Sequence, residues 1–165
     1  MISGIDHLVI LVEDLDTGIS QYRDLGFTVT PGGKHPRFTH NALVSFADGS
    51  YLELISFYEQ ENVTHRWWKY RSSGGGLVDH ALGVDDLAAT VDDARSRGVS
   101  TYTGPNDGAR ARPDGVQLVW KTATPAEPPV GLPFLIEDVT ERSLRVPGDE
   151  AMQHANGVAG VATLI

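Results

Sequence analysis

The feature of the sequence that most constrains the fold is an internal repeat with a spacing of 72 residues. Four pairs of residues match at this one offset: Val12 with Val84, Asp14 with Asp86, Leu15 with Leu87, and Gly26 with Gly98. In each copy an apolar run is followed by an Asp, an amphipathic pattern and a Gly, which is the order of a strand, an N-cap, a helix and a helix stop. The repeat predicts a chain built from two copies of one supersecondary unit.

Each copy continues with short strand patterns, so the order strand, helix and three strands occurs twice. The first copy has strand patterns at 5–12, 27–30, 42–47 and 51–57 and a helix pattern at 15–25; the second has strand patterns at 78–84, 99–102, 116–122 and 134–139 and a helix pattern at 87–97. We therefore predict an α+β fold of two βαβββ modules.

The predicted boundaries follow from these patterns. The segments are a first module at 1–58, a linker with a Trp pair and a Gly-rich hinge at 59–76, a second module at 77–140, and a C-terminal tail with an extra strand at 141–165. The proline-rich stretch 123–132 is expected to be an extended surface connector.

Composition limits the classes of partner. The 165 residues include 41% apolar residues, enough for a core, and carry a formal charge of −9. That charge argues against nucleic acid or an anionic membrane surface as the partner. The chain has no cysteine, no basic leader and no apolar run long enough for a membrane span. We expect a cytoplasmic protein that acts on a small molecule.

The motifs resemble those of a known superfamily. Paired βαβββ modules that open "DHLVILVEDLD" and close "YLELI" are similar to the vicinal oxygen chelate superfamily, which includes glyoxalase I, bleomycin-resistance proteins and extradiol dioxygenases. The run "LGFTVTPGGKHPRFTHNALVSFADGSYLELIS", together with "RARPDGVQLVWK", "LPFLIE" and "HANGVAG", most resembles the bacterial glyoxalase-like domain group. The resemblance implies an incomplete barrel around a cleft, with metal-dependent members taking one ligand from the first strand and one from the last strand of each module.

Strand alternation indicates which side chains enter that cleft. His7 shares a face with Val9 and Leu11, away from the helix layer. By the same count, Glu53 lies opposite Leu52 and Leu54, and Glu137 lies with Leu135 and Val139, opposite Phe134 and Ile136. His7, Glu53 and Glu137 are therefore the predicted metal ligands, and either Glu53 or Glu137 is the predicted catalytic proton carrier.

The fourth ligand position is ambiguous. "DHALGV" echoes "DHLVIL" and suggests His80, but the 72-residue offset aligns Asp79 with His7 and turns His80 toward the helix layer. One imidazole and two carboxylates suit a divalent ion such as Zn, Mn, Ni, Fe or Mg, without choosing among them. A polar cleft without metal, in which His7 and Glu53 bind each other or a Tyr hydroxyl, is the alternative.

Four further residues are candidates for substrate binding. His35 and Asn41 match positions that recur in the glyoxalase-like group, at the cleft mouth. Trp67 and Trp68 cannot face one way, so one packs and the other serves a lid, a ligand or a partner. Arg112, with Arg110, lies in a loop before a strand, where the arginines either bind an anionic substrate or remain exposed.

Two functions follow from these patterns. The first is a glyoxalase-like enzyme, of lyase, isomerase or dioxygenase type, in which a divalent ion stabilises an enolate or alkoxide. The alternative is a metal-independent binder of a drug or metabolite with an aromatic groove, as in bleomycin-resistance proteins. Open sheet edges and the strand-like tail "GVAGVATLI" predict a homodimer.

Overall fold

The two predicted modules are present and consecutive along the chain. The computed structural model describes residues 1–61, 63–126 and 131–164. The first module contains β1 (Ile2–Leu11), α1 (Leu15–Asp24), β2 (Thr30–Lys34), β3 (Thr39–Ser45) and β4 (Tyr51–Phe57). The second contains β5 (Gly76–Val84), α2 (Leu87–Ser96), β6 (Tyr102–Ala111), β7 (Gln117–Pro125) and β8 (Phe134–Asp138), followed by the short helix α3 (Arg142–Arg145). Two 3₁₀ turns, Trp68–Ser73 and Asp149–Met152, complete the regular structure of the described residues.

The eight strands form a ring in the order β1-β4-β3-β2-β6-β7-β8-β5. Within each module the first strand pairs in parallel with the last, β1 with β4 and β5 with β8. The modules join through the antiparallel pair β1 and β5, and again between β2 and β6, where Lys34 opposite Ala111 is the register pair in the described residues. The α+β fold of two βαβββ modules around a cleft is thus confirmed.

The two helices show why the repeat was readable. Both are ten residues long, and each begins after an Asp whose side chain accepts a hydrogen bond from a first-turn N–H. Asp14 accepts from the amide of Thr17 at 2.8 Å, and Asp86 accepts from the amide of Ala89 at 2.9 Å. Because these caps satisfy amides that a helix start leaves without partners, the two Asp residues fix where the helices begin.

Alternation along β1 and β4 separates two apolar layers. Val9, Leu11 and Ile55 belong to a cluster on the cleft side, whereas Leu54 packs with Leu15 beneath α1. A third cluster lies under α2 in the second module. The interior of the ring therefore has an apolar lining on which a few polar side chains stand out.

Three local predictions need correction. β2 begins at Thr30 and runs through Pro31, where a register shift against β3 accommodates the proline, so the strand lies later than predicted. β6 occupies a Gly- and Asn-containing stretch, 102–111, that was read as a loop. The described tail residues 158–164 form no strand; they lie against the first module, where the amide of Val161 donates to Asp48 at 3.1 Å.

Two other predictions remain open. Residues 127–130 of the predicted proline-rich connector lie outside the described residues, and 123–125 belong to β7. The homodimer stays a prediction, and its argument from open edges weakens because β2 and β6 close the ring. Within the described parts of the chain, every helix is too short or too polar to cross a bilayer.

Replacing Gly33 with Ala should lower the free energy of unfolding by about 3 kcal/mol, because the change strains the place where the modules meet. Gly33 has φ +130°, and a Cβ there would lie 1.9 Å from the carbonyl oxygen of Ala111. Gly49→Ala is the matched control, since Gly49 has φ +85° but open space around the position. Urea unfolding should give a loss of about 1 kcal/mol for the control. Equal losses for the two variants would show that the β2–β6 junction does not need the close approach.

Candidate active site

A cavity of about 450 Å³ opens inside the ring between the two modules. Its polar part is formed by β1, β3, β4 and β6, which contribute His7, Asn41, Glu53 and Arg110. Its apolar part is lined by aromatic rings of the second module and of the segment between the modules. The cavity therefore suits a small molecule with a polar end and an apolar body.

His7 is held at the polar end by the residue before it. Its Nδ1 lies 2.6 Å from Oδ1 of Asp6, and its ring stacks on Tyr51 with centroids 4.5 Å apart. Adjacent strand residues normally face opposite sides, but β1 has a register shift between Ile5 and His7 that brings the two side chains together. With Nδ1 on Asp6, the Nε2 atom is the one that faces the cavity and Glu53.

Asp6 is itself fixed from below by α3. Arg145 donates to both Asp6 oxygens at 3.0 Å, and Arg142 also donates to Oδ2. Burial opposes the charge on Asp6, but the hydrogen bond with His7 and the charge of Arg145 outweigh it and hold the pKa of Asp6 well below its usual range. Asp6 is therefore an ionised carboxylate beneath the imidazole.

Glu53 is a buried carboxylate between two imidazoles. Its Oε2 lies 3.6 Å from Nε2 of His7, and its Oε1 lies 4.0 Å from Nε2 of His35 and accepts a 2.6 Å hydrogen bond from the Asn41 amide. Burial favours the neutral acid, but His7, His35 and Asn41 together lower the pKa of Glu53. Burial also lowers the pKa of His35. The site thus presents an ionised carboxylate to the cavity at neutral pH.

Asn41 separates Glu53 from a buried guanidinium. While its amide nitrogen donates to Glu53, its Oδ1 accepts from Nη1 of Arg110 at 3.0 Å. Arg110 also donates to the carbonyl oxygen of Arg145 at 3.0 Å and is 3% exposed. Gly32 makes the arrangement possible, because a Cβ there would lie 2.0 Å from Arg110 Nη1 and 2.1 Å from Asn41 Oδ1.

The apolar end is closed by the segment between the modules. Trp67 is buried, and its Nε1–H donates to Asp79 at 2.7 Å. Arg66 also pairs with Asp79, and its guanidinium lies over the ring of Phe134 at 5.0 Å from the centroid. Trp68 packs edge-on against Phe57 and does not line the cavity. Of the two tryptophans, Trp67 is therefore the one available to a ligand.

Five of the seven predicted site residues line the cavity: His7, His35, Asn41, Glu53 and Trp67. Glu137 does not, and its predicted position is wrong: its Oε2 accepts a 2.8 Å hydrogen bond from the amide of Leu87 at the start of α2. Phe134 and Ile136 face the cavity instead, because β8 is apolar on both faces and alternation alone gives no choice between them.

Arg112 also lies outside the cavity. It follows the end of β6 and donates to the carbonyl oxygen of Leu144 at 3.2 Å and to Asp114 at 2.7 Å. Arg110, two residues earlier on the same side of the strand, takes the position in the cavity. The sequence signal was the spacing of the two arginines, but β6 was not recognised as a strand, so the choice between them could not be made.

The residues present do not fit the divalent ion that the resemblance implied. The 72-residue offset carries His7 to Asp79 and Val9 to Ala81; Val9 pairs with Glu53 and Ala81 pairs with Phe134, so Phe134 stands where the second module would supply a carboxylate. Asp79 is bound by Arg66 and Trp67, and His80 does not line the cavity. Among the described residues, no three His, Asp or Glu side chains are arranged to hold a metal ion.

Comparison with known proteins agrees with this architecture. The family model described as a glyoxalase-like domain matches residues 5–165. The chain belongs to this glyoxalase-like family. The resemblance to the vicinal oxygen chelate superfamily is thereby confirmed. No curated protein matches the chain.

Solved structures with the same fold have low sequence identity to this glyoxalase-like domain. A hypothetical protein from Staphylococcus aureus aligns with a TM-score of 0.69 and 17% identity over 86% of this chain, which spans 61% of that protein. Methylmalonyl-CoA epimerase from Mycobacterium tuberculosis aligns with a TM-score of 0.60 and 22% identity over 83% of this chain and 89% of the epimerase. The Streptomyces coelicolor epimerase, in complex with 2-nitronate-propionyl-CoA, gives 0.59 and 23% over 84% and 99%. At these identities the likeness shows the fold.

Stability should fall below about pH 6.5 in part because of His65, which packs at the mouth of the cavity. Burial lowers the pKa of His65 from 6.5 to about 4, and Arg66 acts in the same direction. Between these two values the unfolded chain binds a proton that the folded state does not, so this contribution is complete above pH 6.5 and is lost as the pH falls to 4. Allowing for partial exposure, the loss is about 2 kcal/mol.

The check is urea unfolding of the wild type and of His65→Leu near pH 7 and near pH 4.5. The variant should lose about 2 kcal/mol less than the wild type between the two conditions. Identical losses would show that His65 is not a source of the acid sensitivity.

Proposed function

We propose that this glyoxalase-like domain is a small-molecule enzyme that transfers a proton at a carbon next to a carbonyl group, without a divalent metal. The observation that carries the proposal is Glu53, an ionised buried carboxylate on the cavity wall with the Nε2 atom of His7 3.6 Å away. A base and a hydrogen-bond donor side by side are what such a reaction needs.

The chemistry divides between the two side chains. Glu53 takes the proton from carbon, and the electrons of the broken C–H bond form the enolate carbon–carbon bond while the carbonyl oxygen becomes negative. The Nε2–H of His7 donates to that oxygen, and Asp6 on the other ring nitrogen holds the imidazole in position. Return of the proton from Glu53 to the same or a neighbouring carbon gives exchange or isomerisation.

The cavity wall limits the substrate to a compound with an apolar body. Trp67, Trp120 and Phe134 line the apolar end, and Phe38 lies at the mouth. These rings bury an aromatic or aliphatic group and exclude water, which strengthens the interactions of Glu53 and His7 with a bound carbonyl.

The aromatic lining also favours a second function, a metal-independent binder of a drug-like molecule or metabolite. That function needs the rings and a polar anchor but has no need of a base. It is distinguished from the enzyme by turnover, since a binder is stabilised by the compound and leaves its hydrogens unchanged.

The test is exchange of carbon-bound hydrogen with deuterium oxide, followed by proton NMR. Acetophenone, 2-hydroxyacetophenone and 3-benzoylpropanoate are suitable probes because each joins an aromatic ring to a ketone with exchangeable neighbouring hydrogens. We expect the chelator-treated protein to accelerate exchange of at least one of them. Stabilisation against heat by a probe, with no acceleration of exchange for any of the three, would support the binder instead.

A further inference from the structure

We infer that the substrate carries a carboxylate, which binds the guanidinium of Arg110. This inference rests on the proposed function only in taking the cavity as the substrate site. The observation behind it is a buried cation that lines the cavity and has no carboxylate within ion-pair distance among the described residues.

The other arginines near the polar end are matched by carboxylates. Arg145 pairs with Asp6 and Asp138, and Arg142 pairs with the same two residues, so two guanidinium groups balance two carboxylates below the cavity floor. Arg110 has two neutral oxygen partners instead, on Asn41 and on the backbone of Arg145. A buried charge without a counter-charge is costly, and an anionic ligand removes that cost.

Asn41 keeps this cation available. Since its amide donates to Glu53 and its carbonyl accepts from Arg110, the carboxylate and the guanidinium are held on the two sides of one neutral group. A direct ion pair would occupy the donors of Arg110 and weaken Glu53 as a base. The spacing leaves Arg110 with N–H groups for a ligand, because a guanidinium has five and these hydrogen bonds use two.

Charge decides the class of anion. One guanidinium matches one negative charge, and a guanidinium binds the two oxygens of a carboxylate side by side. A doubly charged phosphate would place its excess charge near the ionised Glu53. The ligand that fits is therefore a monocarboxylic acid with an aromatic or aliphatic body and a carbonyl that reaches Glu53 and His7.

The experiment compares 3-benzoylpropanoate with its uncharged analogue 3-benzoylpropanamide by isothermal titration, with arylalkanoates of shorter and longer chain and their amides as a series. The wild type should bind at least one acid about tenfold more tightly than the matching amide. Arg110→Gln should abolish that preference. Arg112→Gln, the matched control two residues away, should keep it, because Arg112 does not line the cavity.

Folding of each variant is checked by circular dichroism before titration. If Arg110→Gln does not fold, Arg110→Lys replaces it, and the preference should then fall between that of the wild type and none. Equal binding of every acid and its amide by the wild type overturns the inference, as does a preference that survives Arg110→Gln or Arg110→Lys undiminished. Acid-selective binding without deuterium exchange would refute the proposed proton transfer and leave this inference standing; exchange without acid selectivity would do the reverse.

Discussion

Asp6→Asn is expected to lower the free energy of unfolding by about 3 kcal/mol, because it removes the charge on which two arginines and an imidazole converge. Asp6 is 3% exposed, and Arg145, which donates to both of its oxygens, is also buried. Asp138 and the Tyr51 hydroxyl still bind Arg145 in the variant, so the guanidinium is left partly rather than wholly uncompensated.

Urea unfolding near neutral pH measures the loss, with Asp85→Asn as the control. Asp85 is an exposed carboxylate 3.6 Å from the chain's terminal amine, so its replacement should change stability by less than about 0.5 kcal/mol. A loss for Asp6→Asn as small as that of the control would show that the α3 arginines are not held by this carboxylate.

Acid unfolding provides a second readout of the same residue. Because the folded state holds the pKa of Asp6 well below the model value of 3.8, its stabilising contribution is complete above that pH and is lost as the pH falls further. Asp6→Asn should therefore have a shallower loss of stability than the wild type in this acid range. Steeper loss in the variant would contradict the assignment of Asp6 as an ionised partner of Arg145.

The first half of the site was predictable because its strands are unambiguous. In β1 and β4 one face combines apolar residues with a single polar group, and the helix that covers the other face has a recognisable cap at Asp14. Alternation then sends His7 and Glu53 the same way, and the parallel pairing of β1 with β4 places Glu53 opposite Val9, beside His7. Local pattern and tertiary structure agree there.

The second half was not predictable for two physical reasons. β8 has apolar residues on both faces, since Phe134 and Ile136 line the cavity while Leu135 packs under α2, so its orientation is set by pairing with β5. β6 contains Gly104 and Gly108, which are residues typical of turns, and its pairing with β7 overrides that local preference.

The contacts below the cavity involve residues far apart in the chain. Arg145 reaches Asp6 across 139 positions, and Arg110 reaches Asn41 across 69. No periodicity in the sequence records such contacts, and they determine which arginine lines the cavity. The two halves have therefore diverged: the first keeps a His and a Glu, while the second supplies a cation and aromatic rings.

Glu53→Gln should reduce the rate of deuterium exchange by about 10²–10⁴-fold, the usual contribution of a positioned base. The amide has nearly the same shape and retains an oxygen that can accept from Asn41, so the cavity and the Arg110 interaction stay in place. Affinity for 3-benzoylpropanoate should consequently change by less than about threefold, which separates loss of proton transfer from loss of binding.

Glu137→Gln is the matched control, since it makes the same chemical change in the carboxylate that β8 turns toward α2. Its exchange rate should equal that of the wild type, with at most a small loss of stability from the weaker cap on α2. If Glu137→Gln instead loses exchange while Glu53→Gln keeps it, the base lies on the other face of β8, and the assignment of Glu53 is wrong. The comparison thus tests at once the chemistry of the carboxylate and the strand orientation that places it in the cavity.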